Sequence, residues 1–405
     1  MQFTTLQNTS KEEGRKYKTS IFKIEVLIME VGFVIRFLTG GESHGDYLTG
    51  IIEGFPAKVF LDVEYINHQL RRRQLGYGRG DRMKIEKDEV EVISGVRNGY
   101  TTGNPISLMI KNRGSNIEQV EITRPRPGHG DLAGTLKYNY EGGRNVLERA
   151  SARETAMRVA VGSICKLFLR SFSINIYSHV VQIGKVKANK LYDRWDEEKL
   201  KRADESPVRC LDKESENLMI MEIEKAKENG DTLGGVVEVI GKNIPVGLGS
   251  FANWDRRIDS RIAQCIMSIP GIKGIEFGLG FEMANRYGSQ VHDEIFYKDG
   301  FYRATNNAGG IEAGVTNGED IVFRMVMKPI PTLRKPLRTV DIKSKESTVA
   351  QFERSDISAV PAAGIVAESM LAYVLANEIM LKFGGDSLDE ILSSYNRYLE
   401  VIKNR

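Results

Sequence analysis

Six short segments carry residue types that can do chemistry. Gly41-Glu42-Ser43-His44-Gly45 puts a hydroxyl and an imidazole in a glycine-flanked turn behind a strand-like run. The spacing is that of a G-x-S-x-G nucleophile elbow, but an elbow requires a helix next, and residues 47–55 read as a second strand. A serine hydrolase built on Ser43 is therefore the weaker reading. An imidazole held by a tight loop, ready to protonate a departing oxyanion, is the stronger one. In the stretch 71–84, RRRQLGYGRGDRMK, six basic residues accompany one acid, Asp81, and Gly76, Gly78 and Gly80 let the backbone turn closely against a ligand. Arg, Gly and Tyr are interleaved there, so a polyanion- or RNA-binding module competes. A pocket for a small, multiply charged anion is preferred, because a guanidinium grips carboxylate or phosphate with two parallel hydrogen bonds.

Arg124-Pro125-Arg126-Pro127-Gly128-His129-Gly130-Asp131 holds a second imidazole on a stiff loop beside two arginines. In the segment 148–155, ERASARET, Arg149 and Arg153 share a helix face near a helix start, where the field favours anions. The stretch 306–314, NNAGGIEAG, runs into a strand that ends in Lys328-Pro329-Ile330-Pro331-Thr332, a wall suited to a phosphorylated or planar ligand. Asp356, in the segment 354–361, RSDISAVP, is either a helix N-cap or a catalytic base.

The elements that must position these residues mix two periodicities. Strand-like runs fall at 31–38, 47–55, 90–94, 106–110, 234–241 and 320–328. Helical patterns fall at 62–73, with Asp62 as N-cap, at 144–172 as one long helix, at 256–269 and at 362–383, which stops at Gly384-Gly385. Residues 191–230 are rich in Lys, Glu and Asp and read as a solvated excursion. Strands in clusters with helices between them indicate α+β rather than βαβ alternation.

The chain of 405 residues, 41% apolar and 27% charged, has the composition of a globular protein with a sizeable core. With 57 Lys and Arg against 54 Asp and Glu, the net charge is only +3, so bulk charge calls for neither nucleic acid nor another polyanion. Three scattered cysteines and five histidines show no metal-ligand spacing, and no metal is expected. The apolar stretch 21–35 is broken by Lys23, Glu25 and Glu30, which excludes a membrane span or signal core. No dinucleotide fingerprint and no P-loop occurs.

Taken in order, GESHG, GYGRG-x-RM, RPGH, SARET, GGIE-x-G with KPIPT, and RSD with AVPAA resemble the chorismate synthase family, from about residue 33 to about residue 380. The sequence departs from the family pattern at Gly40, Asp81, Gly130, Ala150, Ala313 and Ser358, and at Pro270-Gly271, where Asn-Ala is frequent. The resemblance implies a single domain over 31–390, with an N-terminal extension at 1–30 that is peripheral or precedes the true start, and a C-terminal tail at 391–405. It implies a helical core between antiparallel sheets, a homotetramer and a cytoplasmic enzyme. The reaction implied is anti 1,4-elimination of phosphate from 5-enolpyruvylshikimate 3-phosphate, the last step of the shikimate pathway, dependent on reduced FMN from an external reductant.

Residue by residue, the resemblance makes His44 the proton donor to phosphate. It places His129 beside the flavin pyrimidine ring and makes Asp356 the residue that helps flavin N5 take the C6 proton. Substrate binding falls to Ser43, Arg73, Arg79, Arg82, Arg126, Arg153 and Arg354. Flavin binding falls to Arg149, Ala150, Ser151, Pro270, Gly271, Ala313, Lys328, Pro329, Ile330, Pro331, Thr332 and Arg354. Arg73 and Arg79 are also linked to NADP, with NADPH an indirect reductant at most. No nucleic acid and no membrane is expected as a partner.

Overall fold

The computed structural model describes residues 34–80, 87–113, 121–189, 194, 196–352 and 356–405. The expectation for residues 1–30, together with Asp81, Arg82 and Arg354, lies outside the described residues. From residue 35 onward the chain forms one compact unit.

Two antiparallel sheets enclose a layer of helices. The first sheet contains β1 (Arg36–Gly40), β2 (Tyr47–Glu53), β3 (Val90–Ser94) and β4 (Ile106–Lys111), in the order β1-β2-β4-β3. The second contains β5 (Asn175–Ile183), β6 (Gly235–Lys242), β7 (Ile272–Phe277) and β8 (Ile321–Met327), in the order β7-β8-β6-β5, with Val186–Lys187 on its edge. Alternation in β2 sets the first sheet's inner face: Leu48, Gly50 and Ile52 are buried, whereas Tyr47, Thr49 and Ile51 are exposed.

The main helices are α1 (Val63–Gln74), α2 (Asp131–Tyr138), α3 (Arg144–Ala150), α4 (Thr155–Arg170), α5 (Lys213–Glu228), α6 (Ile258–Met267), α7 (Val360–Phe383) and α8 (Leu388–Lys403). Helix α7 is apolar all round, and every residue from Val360 to Met380 is buried. By length and composition it could cross a membrane, yet here it is the core helix. It packs on α4, α1 and α6 and on strands β5 and β6, while α4 packs on β1 and β2. The expected helical core between antiparallel sheets is the observed architecture.

Asp62 caps α1 as expected, accepting from the Tyr65 amide at 3.1 Å, and α7 ends at Gly384, in the left-handed region at φ 64°. Three expectations are corrected. The long helix over 144–172 is broken at Ser151, which is extended (ψ 143°) and accepts from the Arg153 amide; a 3-10 turn, Ala152–Glu154, then leads into α4. An apolar pattern continues through such a restart, so periodicity cannot reveal it. The charged excursion at 191–230 contains α5, whose Met219, Ile223 and Ala226 form a buried stripe diluted by charges on its other faces. The tail boundary at 391 falls inside α8, whose Ile391 and Tyr395 are buried. Strand β5, unexpected from the sequence, pairs with β6 at the centre of the fold.

The crossing of α4 and α7 needs a glycine. A Cβ on Gly162 would sit 2.3 Å from Cβ and 2.5 Å from the backbone oxygen of Ser369. Gly162→Ala should lower stability by about 1–3 kcal/mol through overpacking, read from the urea midpoint. An unchanged midpoint would show that the two helices do not meet this closely.

Candidate active site

The turn between β1 and β2 carries the first imidazole. Gly41 has φ 103°, and a Cβ there would lie 2.4 Å from the Tyr47 carbonyl, so only glycine fits. Two antiparallel strands flank this turn, which makes it a hairpin and not a nucleophile elbow. Ser43 is buried; its amide donates to the Glu148 carbonyl at 3.0 Å, and its Oγ accepts from Ser151 Oγ at 3.0 Å. The His44 amide donates to Glu148 Oε2 at 2.9 Å, and the ring Nδ1 lies 3.0 Å from Oε1 and 3.1 Å from Oε2. Glu148, from α3, is 4% exposed. Burial pushes its pKa up, but the hydrogen bonds from His44 and the charges of His44 and Arg144 outweigh this, and the carboxyl stays below its ordinary value. The carboxylate engages Nδ1, so Nε2 is the ring nitrogen outside this pair.

The loop before α2 repeats the arrangement. Asp131 is 0% exposed; its Oδ1 lies 2.6 Å from His129 Nδ1, and its two oxygens accept from Arg126 Nε at 2.8 Å and Nη2 at 3.0 Å. Burial again opposes ionisation, yet the hydrogen bonds from His129 and Arg126 hold this carboxyl well below the usual carboxylate range. Arg126 Nη1 donates to Thr332 Oγ1 at 3.0 Å, and Lys328 Nζ donates to the Gly128 carbonyl. These bonds lay the 328–332 loop along the 126–129 loop. A Cβ on Gly130 would be 3.8 Å from the Ala150 Cβ, which places the His129 loop beside α3.

A third buried carboxylate joins two arginines. Arg153 makes a bidentate pair with Asp88, at 2.8 and 2.7 Å, and its Nε donates to Asn112 Oδ1 at 2.8 Å. Arg73 Nη1 lies 3.6 Å from the same Asp88, while its Nε and Nη2 donate to Thr155 Oγ1 and to the Ala152 carbonyl, each at 2.9 Å. Asn112 donates to the Glu42 and Gly45 carbonyls, which couples this cluster to the His44 turn. Asp356 accepts from the Gly80 amide at 2.6 Å and lies 3.2 Å from Arg79 Nε. It is not the cap of α7: that position is Ala359, with no side-chain cap bond.

The expected flavin positions divide into two groups. Arg149, on the surface, donates to the Thr39 carbonyl and hydroxyl at 2.9 and 2.8 Å, beside Ala150 and Ser151. Gly271, at φ 87°, accepts from the Lys328 amide at 3.0 Å, so Pro270-Gly271 adjoins the 328–332 loop. Ile330 accepts from Thr232 Oγ1 at 2.7 Å. Ala313 sits in the Ile311–Thr316 hairpin at φ 49°, a conformation that costs an alanine and suits the family's glycine. Among the described residues, no hydrogen bond ties Ala313 to the rest of the site.

Of the groups described, six cations, Arg73, Arg79, Arg126, Arg149, Arg153 and Lys328, face four carboxylates, Asp88, Asp131, Glu148 and Asp356, an excess of positive charge. Asp88 and Asn112 were missed by sequence reasoning because neither stands in a motif and their partners are remote in the chain. The pairings of Glu148 and Asp131, though both lie inside motifs, carry no sequence signal either.

Removing the clamp should be costly. Asp88→Asn leaves two buried guanidinium groups without their carboxylate and should lose about 3–5 kcal/mol by urea unfolding; a loss below about 1 kcal/mol would make the clamp incidental. Because the pKa values of Asp131 and Glu148 are lowered on folding, their contribution to stability is present above the unfolded value near ~4 and lost as pH falls further. In Asp131→Asn, that part of the acid-side slope in a pH series of thermal midpoints should shrink.

The geometry can be set beside known proteins. The family model described as chorismate synthase matches residues 35–380. The chorismate synthase of Caldicellulosiruptor bescii is 54% identical over 378 residues, covering 90% of this chain and 99% of that protein. That of Alkaliphilus metalliredigens is 55% identical over 383 residues, covering 91% and 100%. A solved structure titled as the crystal structure of chorismate synthase superposes with a TM-score of 0.77 at 46% identity, covering 92% of this chain and 99% of that one. Matched from its first sheet to its core helix, the chain belongs to the chorismate synthase family of lyases.

Proposed function

We propose that the chain catalyses the anti 1,4-elimination of phosphate from 5-enolpyruvylshikimate 3-phosphate to give chorismate, with reduced FMN supplied from outside. The observation that carries this reading is the pair of imidazoles, each anchored at Nδ1 by a buried carboxylate in a basin of excess positive charge. A substrate with one phosphate and two carboxylates matches such a basin, and the field draws it in.

In the elimination the C–O bond to phosphate breaks, C6 loses a proton, and the electron pair released there forms the new double bond. His44 Nε2 gives its proton to the phosphate oxygen, and Glu148 stabilises the imidazolium before the transfer. Ser43, fixed by Ser151, sits beside it. Arg73 and Arg153, set by Asp88, are assigned with Arg79, Arg82 and Arg354 to the substrate's anionic groups; Arg82 and Arg354 lie outside the described residues. Arg126 is bound to Asp131 and Thr332, and its assigned role is to hold the His129 loop for the substrate. Asp356 is assigned to the proton leaving C6.

The residues present fit a flavin. Surface Arg149 and Lys328 offer charge to its phosphate and ring oxygens. Burial and the Lys273 charge lower the Lys328 pKa, which leaves its ammonium poorly solvated and open to an anionic partner. Arg149, Ala150, Ser151, Pro270, Gly271, Ala313, the 328–332 loop and Arg354 would hold the cofactor. Reduced FMN supplies transient electron density with no net redox change. Arg73 and Arg79 lie against Asp88 and Asp356, so we give them to the substrate and not to NADP. A cytoplasmic homotetramer completes the proposal. Exposed aromatics Phe251, Trp254, Phe281, Tyr287 and Phe301 support the assembly.

His44→Ala and His129→Ala should each lower kcat by about 10²–10⁴-fold in protein that circular dichroism shows to be folded; wild-type turnover in either would remove that residue from the mechanism. Glu148→Gln should displace the acid limb of the kcat–pH profile, a change a merely structural role would not cause. Asp356→Ala should bind FMN normally while slowing turnover, and an unchanged rate would make Asp356 an anchor for Gly80 alone.

A further inference from the structure

A cavity of ≈ 530 Å³ lies away from the two imidazoles, walled by α1, α4, the start of β5 and the stretch from Glu197 to Arg209. Its charge is unbalanced. Two carboxylates, Glu368 and Asp204, meet three cations, Arg72, Lys166 and Arg209. Glu368 is 0% exposed and Arg209 6%, so the centre of this cluster is held out of water, while the Asp204 side chain is 39% exposed. The Arg209 Nε is buried with no hydrogen-bond partner among the described residues. Arg170, also on the wall, has its guanidinium 3.9 Å from the Tyr65 ring centroid and no carboxylate partner among the described residues. Glu197, also on the wall, accepts from the Tyr177 hydroxyl at 2.5 Å and from Asn175 and offsets one cation, so with Arg170 counted the cluster keeps a net excess of one positive charge.

Uncompensated charge of one sign in a concave, partly dry site attracts a counter-ion more strongly than the same charges would on an open surface. Burial pushes the Lys166 ammonium down to about 8; Glu368 opposes the shift, and the charges of Arg72 and Arg209 add to it. Tyr65, Leu169 and Ile174 add an apolar side to the cavity. The Arg170 guanidinium and the unpaired Nε of Arg209, beside the Lys166 ammonium and an apolar wall, suit a small organic anion.

We propose that this cavity is a second anion-binding site, distinct from the active site, which takes a small organic molecule bearing two or more negative charges. The site abuts catalytic parts: Arg72 lines it, and the next residue, Arg73, reaches to Thr155 at the start of α4.

The test is calorimetric titration of the full chain with citrate and with inorganic phosphate. Wild type is compared with Arg170→Gln/Lys201→Gln, whose two altered side chains lie at the cavity's outer edge, and with Arg149→Gln/Lys328→Gln in the active site. The proposal expects a binding event for at least one anion that survives Arg149→Gln/Lys328→Gln and weakens about tenfold or more in Arg170→Gln/Lys201→Gln. Turnover of Arg170→Gln/Lys201→Gln in anion-poor buffer should stay at the wild-type level, which separates failure here from failure of the proposed reaction. Binding that disappears with the active-site pair and is untouched by the cavity pair would overturn the proposal, as would no binding of either anion.

Discussion

A charge taken out of water must keep a partner, and the site is organised around that constraint. Asp88, Asp131 and Glu148 are each buried, and each holds a group to which the proposed chemistry gives a role: two arginines, an imidazole with its arginine, and an imidazole with its serine-bearing turn. Each carboxylate also fixes a geometry. Glu148 takes one ring nitrogen of His44 and the backbone amide of the same residue, so the carboxylate is fixed beside the ring and the ring cannot turn without losing its Nδ1 contacts. The partial neutralisation is as important as the positioning. A basin of arginines with no carboxylates would repel itself. One fully neutralised would have no field left for the proposed polyanionic substrate.

The fold supplies these carboxylates from separate places and makes them meet. Glu148 comes from α3, Asp131 from the start of α2, and Asp88 from the approach to β3. The meeting point is the break at Ser151. Had the helix continued from α3 into α4, Ser151 could not leave the helical path to reach Ser43, and Arg153 could not turn towards Asp88. The core helix α7, buried throughout, fixes the other side by carrying the Asp356 segment against the Gly78–Gly80 loop.

Local features were legible in the sequence and distant pairings were not. Asp62 announces α1 because a cap acts within three residues, and α7 is evident because its apolarity has no polar side to interrupt it. Helix α5 was hidden, since its buried stripe is narrow and its other faces are charged. Most of the motifs meet in the fold, yet Arg126 and Arg153 read from sequence as open substrate ligands. Only three-dimensional contacts show that Asp131 and Asp88 already engage them. Asn112 links two motifs and belongs to neither.

In the proposed reaction this carboxylate-set site releases phosphate from the substrate with help from reduced flavin and without net redox change. The most direct test is an anaerobic assay with 5-enolpyruvylshikimate 3-phosphate, following chorismate absorbance and inorganic phosphate together, with reduced FMN, oxidised FMN or no flavin. The account predicts equal amounts of both products with reduced FMN and none otherwise. Product without flavin, or none from folded protein that binds reduced FMN, would contradict it.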